Sequence, residues 1–119
     1  MPRGPTSESV ARRVAEVGGI GAVGEVRNGP QTTTGWHTHG DHTACVYVVE
    51  GQVLLEWGPG GEHSVQLGPG DFYVISPRTI HRESNPGPGE NCWAGFLMGS
   101  GQQVVNVDGP EPARVREAL

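Results

Sequence analysis

Lysine is absent from this 119-residue chain, whose eight basic residues are all arginine. That excludes Schiff-base chemistry on a lysine and a phosphate loop built around one. Basic charge is scarce in general: 13 acidic residues outweigh the 8 basic ones, for a net charge of -5 and a pI near 5.4. Nucleic acid and anionic membrane surfaces are therefore poor partners. No apolar run approaches the roughly 20 residues a membrane-spanning helix needs. The opening Met-Pro-Arg-Gly-Pro-Thr lacks the apolar core of a signal peptide, so a cytoplasmic location is expected. Cysteine is limited to Cys45 and Cys92. Both lie in apolar runs, and in a reducing compartment two free thiols packed as small hydrophobes are expected.

What the chain has in quantity is turn residues, with Gly 20 and Pro 10 against 34% hydrophobic content. They punctuate short apolar runs, the pattern of an all-β sandwich or barrel rather than of low-complexity disorder. The length fits one domain. Residues 1–6 read as a flexible tail, 7–108 as the domain, and 109–119 as a C-terminal tail or short helix. Within Ser7–Val17, Val10, Val14 and Val17 fall at helical spacing before Gly18-Gly19. A short amphipathic helix is the favoured reading there, an edge strand the alternative. Ile20–Arg27 is an extended segment. Strands are then expected over Cys45–Val49, Gln52–Trp57, His63–Leu67, Phe72–Ile75, Cys92–Met98 and a short Val104–Val107, with Ile80-His81 between turns.

The stretch from Gly35 to Gly51 carries the sharpest chemistry. His37 and His39 stand one residue apart, so on an extended backbone they face the same side, roughly 6–7 Å apart at Cα. His42 follows in a polar turn, where it is either a further metal ligand or a solvated loop residue. Downstream, Gly68-Pro69-Gly70-Asp71 turns into Phe72–Ile75, and Pro77 precedes His81.

His37-x-His39 with Tyr47-Val48-Val49-Glu50-Gly51 resembles the first motif of the cupin superfamily. Gly68 through His81, with Asn85 beyond, resembles the second. The two motifs cover about residues 31–86. The resemblance implies a double-stranded β-helix (jelly-roll) barrel, a metal at its mouth held by His37, His39 and His81, a small-molecule substrate and a homodimer. Imidazole nitrogens suit Fe, Zn, Cu and Ni, and three of them leave positions open for water or substrate. Mn and Co are further possibilities, with iron favoured.

One departure stands out. Metal-binding cupins usually carry a Glu four or five residues after the second histidine, and here those positions are Thr43 and Ala44. Three neutral imidazoles would leave a divalent ion its full charge and make it more Lewis-acidic. Among other candidates, Glu83 shares the parity of His81 and is a base, a partner behind the ligands, or an exposed strand residue. Tyr47 shares the parity of His39 and is a general acid or substrate donor, or a core residue with its hydroxyl at the rim. Trp36 and Trp93 are expected to wall the cavity or fill the core, and Phe72, Val74, Phe96 and Met98 to be core. Arg78 and Arg82 flank His81 and either draw an anionic substrate or are solvated. Three functions are compatible with this set. The leading one is a non-haem iron dioxygenase with a three-histidine centre. The second is a zinc or other divalent-metal cyclase, isomerase or lyase, and the third a non-catalytic small-ligand-binding module.

Overall fold

The computed structural model describes residues 10–113, and every element in them is a strand. In chain order these are β1 (Val10–Val17), β2 (Gly21–Asn28), β3 (His37–Thr38), β4 (Thr43–Glu50), β5 (Val53–Trp57), β6 (His63–Leu67), β7 (Phe72–Ile75), β8 (His81–Ser84), β9 (Asn91–Met98) and β10 (Val105–Asn106). They form two antiparallel five-stranded sheets, ordered β1-β2-β9-β4-β7 and β10-β3-β8-β5-β6. The all-β expectation holds. The helix favoured over Ser7–Val17 does not: its described part is β1, paired along its length with β2 from Val10↔Asn28 to Val17↔Gly21. Gly19, at φ +75, turns the hairpin. Full backbone pairing with β2 outweighs a weak helical spacing of three valines. Residues 1–9 and 114–119 lie outside the described part, and with them the tail expected over 1–6 and most of the tail or short helix expected over 109–119. Glu111 is tied to the β5–β6 turn through the Gly60 amide at 2.7 Å.

The core fills the space between the sheets. One sheet contributes Ala44, Val46, Val48, Tyr73, Ile75 and Trp93, the other Val53, Leu55 and Leu67. Side chains alternate across each strand, and this corrects four sequence readings. In β7, Tyr73 and Ile75 point inward while Phe72 and Val74 stand on the outer face, 72% and 58% exposed. Phe96 and Met98 are likewise outside. A continuously apolar strand has no alternation from which to tell its inner face.

Two local features hold the histidine-bearing strands in place. The segment before β3 clamps β8, with the Thr34 amide donating to the Glu83 carbonyl at 2.8 Å and the Asn85 amide to the Thr32 carbonyl at 2.8 Å. Gly51, at φ +76, turns β4 into β5 so close to Asn91 that a Cβ there would lie 2.8 Å from the asparagine's own. Asn91 in turn donates to the Gln52 carbonyl at 2.7 Å, pinning the turn to β9.

Candidate metal centre

His37 and His81 face each other directly across the β3–β8 ladder. Their rings lie 4.2 Å apart, and the His39 ring is 5.1 Å from His37 and 5.0 Å from His81. Each imidazole is oriented by a backbone carbonyl at its Nδ1: Gly35 at 2.8 Å for His37, Gln103 at 2.9 Å for His39 and Thr79 at 2.9 Å for His81. A carbonyl only accepts, so Nδ1 carries the proton in each ring and Nε2 presents its lone pair. One ligand atom from each of the three rings lies within 4.8 Å of the others.

Such an arrangement of lone pairs suits a cation. His81 Nε2 is buried with no hydrogen-bond partner, the one such side-chain atom among the described residues. An orphaned buried acceptor costs about 1–3 kcal/mol. Burial also favours the neutral form of two of these rings, lowering His81 and holding His39 down to about 4. Neutral, carbonyl-oriented histidines are what a transition-metal ion requires. The donor set fits a divalent metal.

Glu83, two residues beyond His81 on β8, is buried in the same cluster. Its Oε1 lies 3.4 Å from His37 Nε2 and 3.7 Å from His81 Nε2. Its Oε2 accepts the Tyr73 hydroxyl at 2.6 Å, a bond that crosses from one sheet to the other. Its amide donates to Thr34 Oγ1 at 2.9 Å. Burial would raise this carboxyl, but the neighbouring imidazoles of His37, His81 and His39 outweigh it and hold it below the usual carboxylate range. Tyr73 moves the other way: burial, then Glu83, raises its hydroxyl well above the ordinary phenol, so it remains a donor.

The other candidates fall elsewhere. Tyr47 stands on the outer face of β4, half exposed, paired with Phe72 and Ala94. Parity with His39 fails because β3 and β4 belong to different sheets and the chain crosses between them at Gly40–His42. His42 is neither solvated nor in the cluster. It is 2% exposed, donates from Nδ1 to the His39 carbonyl at 2.9 Å and packs against Gly99. Arg78 pairs with Asp41 at 2.6 Å, and Arg82 holds Glu56 through two bonds while lying over the Trp36 ring. Both arginines are paired with carboxylates, Arg78 at the surface. Cys45 and Cys92 are both free thiols, and burial raises that of Cys92. Trp93 does line a cavity of about 80 Å³ beside His39, with Ala22, Val26, Leu97 and Gln103.

Sequence reasoning missed Tyr73, absorbed into an apolar run, and the three carbonyls that set the tautomers. The phenol of Tyr73, the one hydrogen-bonding side chain in Phe72–Ile75, was the available signal. Backbone carbonyls leave none.

The Cupin domain family model matches residues 24–99. The chain is a cupin. No curated protein sequence matches this cupin closely. Among solved structures it is similar to the polyketide cyclase RemF from Streptomyces resistomycificus, at 21% identity and a TM-score of 0.74, over 90% of this chain and 77% of that one. An oxalate oxidase in complex with glycolate gives 21% identity and a TM-score of 0.73, covering 83% of this cupin but only 55% of the oxidase. The S161A mutant of Bacillus subtilis oxalate decarboxylase OxdC gives 16% and 0.74, covering 85% of this cupin and 29% of the decarboxylase. The cupin thus spans about half or less of the oxalate enzymes' chains. Likeness at these identities establishes the barrel.

Proposed function

We propose that this cupin is a metal-dependent enzyme acting on a small molecule, with oxygenation at non-haem iron as the favoured chemistry. One observation carries the reading: three Nε2 lone pairs converge beside a cavity, and that of His81 is buried without a partner. A bound divalent ion would supply Lewis acidity and, as iron, oxygen chemistry. The chain supplies the rest. Carbonyls of Gly35, Thr79 and Gln103 fix the rings; Val26, Trp93 and Leu97 give the cavity an apolar wall. Glu83, held by Tyr73, is the carboxylate within reach of the site. Tyr47 has no part in it.

A redox-neutral cyclase, isomerase or lyase is the second reading. The likeness to RemF favours it, since it covers a larger share of both chains than the likeness to the oxalate oxidase. Elemental analysis of protein purified without added metal separates the two: iron supports oxygenation, stoichiometric zinc the redox-neutral reaction. Absence of any metal under every loading condition would overturn both and leave a ligand-binding module.

The outer face of β4, β7 and β9 supports a homodimer. Tyr47, Phe72, Val74, Phe96 and Met98 lie side by side there in register, each about half exposed or more. Monomers rarely expose contiguous apolar patches beyond ~300–600 Å², and a standard interface takes ~800 Å² per partner. A second copy of this acidic chain covers such a face through apolar rather than ionic contact. Two free thiols and the absence, among the described residues, of a helix able to cross a membrane accord with a cytoplasmic location.

A further inference from the structure

We propose that Glu83 is the fourth protein ligand of this centre, supplying from β8 the carboxylate that the residues after His39 lack. The inference rests on the metal-site reading above. Its first support is a conflict of lone pairs. With Nδ1 of His37 committed as a donor to the Gly35 carbonyl, Nε2 in the tautomer that binds a metal and Oε1 of Glu83 are two acceptors 3.4 Å apart. Glu83 Oε1 and His81 Nε2 form a second such pair at 3.7 Å, and His81 Nε2 has nothing else to bond. Two acceptors face each other stably only across a proton or a metal cation. One proton can serve one of these pairs. A single cation serves both.

The spacings agree. Ligands about 2.1 Å from an ion lie about 3.0 Å apart at a right angle and about 3.4 Å apart at a tetrahedral one. The two Glu83 separations match or slightly exceed that edge length. The carboxylate is also built to stay there: it is buried, its Oε2 is taken by the Tyr73 hydroxyl and its amide by Thr34. A general base needs to reach a substrate, whereas Oε1 of Glu83 points at the ring nitrogens.

The consequence is a change in the charge of the site. Three imidazoles and one carboxylate leave a divalent ion with a net charge of +1 instead of +2. Bound water is then less acidified than at a three-histidine centre, and the hard oxygen donor shifts preference toward iron or manganese. The carboxylate missing after His39 has moved to another strand.

The test uses the full chain stripped of metal and titrated with Co²⁺, following affinity by chelator competition and geometry by the visible d–d absorption of the bound ion. Glu83→Gln keeps an acceptor for Tyr73 but removes the charged ligand. Its Co²⁺ affinity should fall at least tenfold and its d–d spectrum should change, with far-UV circular dichroism unaltered. Glu83→Asp should recover part of the lost affinity, and it serves as the probe if the Gln variant does not fold. Wild-type affinity and an unchanged spectrum in Glu83→Gln would overturn the assignment, as would an Asp variant that binds no better than the Gln one. His81→Ala separates this failure from that of the site itself. If it loses Co²⁺ while Glu83→Gln does not, the three-histidine centre stands without Glu83. If the wild type takes up no Co²⁺, both readings fall.

Discussion

The Tyr73 hydroxyl donates to Glu83 Oε2 at 2.6 Å across the space between the sheets, leaving Oε1 aimed at the nitrogens of His37 and His81. The bond joins the apolar core to the polar cluster, because Tyr73 packs within the core while its tip reaches the carboxylate. Each part of this arrangement has a measurable weight.

Tyr73→Phe removes the donor and nothing else of the side chain. Glu83 Oε2 is left buried and unpaired, which costs about 1–3 kcal/mol of stability. The carboxylate is also freed to rotate, so metal affinity should fall roughly 10–100-fold, as is usual when a ligand loses its orienting partner. Denaturant titration of the metal-free protein and chelator competition of the loaded one check the two effects separately. A variant that loses stability but binds metal as before would show that Tyr73 serves the core alone.

His39→Ala and His81→Ala should each abolish metal retention through dialysis, read as metal per chain by elemental analysis. Both residues contribute a neutral Nε2 to one cluster. His42→Ala should retain the metal, because its imidazole is spent on the His39 carbonyl outside that cluster. Equal loss in His42→Ala would make it a ligand. Full retention in His81→Ala would remove the second motif from the site.

The sequence made the histidines legible because chemistry and spacing coincide in them: an H-x-H pair on an extended backbone, then a lone histidine after a Gly-Asp turn. Glu83 was legible by its even offset from His81 on the same strand. Tyr47 misled because the same parity argument was carried across the Gly40–His42 crossover, where the chain changes sheets. Phe72 and Val74 misled because hydrophobicity alone does not distinguish the inside of a barrel from a face that another molecule covers. His42 fell outside both of its alternatives, since a buried turn histidine bonded to a carbonyl has no composition signal. The β1 helix reading failed on three valines, whose β-branching suits a strand as well as their spacing suits a helix.

Acid should weaken the metal-free protein in two stages. Burial holds His39 near 4, below the ordinary imidazole value of 6.5, and lowers His81 too. As pH falls through about 6.5, the unfolded chain takes up protons that the native state does not, so stability declines. His39 accounts for on the order of 2 kcal/mol of this by pH 4.5, after discounting for its partial exposure. Glu83, depressed below its ordinary value of 4.5, adds a second loss with the same sign at lower pH. Urea denaturation from pH 7.5 to 4.5 should show the first stage, and His39→Gln should flatten it. A flat wild-type profile would mean that the imidazoles are solvated.

Phe72→Glu places a charge on the outer apolar face, on its edge strand β7, where Phe72 is 72% exposed and paired with Tyr47. The wild type should run in light scattering at twice its 12.6 kDa chain mass, and the variant at the chain mass. Because Phe72 points away from the core, the monomer should keep its strand content and bind metal with unchanged affinity. The same substitution at Tyr73, one residue on, would instead unfold the barrel, since that side chain lies between the sheets. A monomeric wild type at tens of micromolar would sink the dimer, and so would a Phe72→Glu variant that stays dimeric.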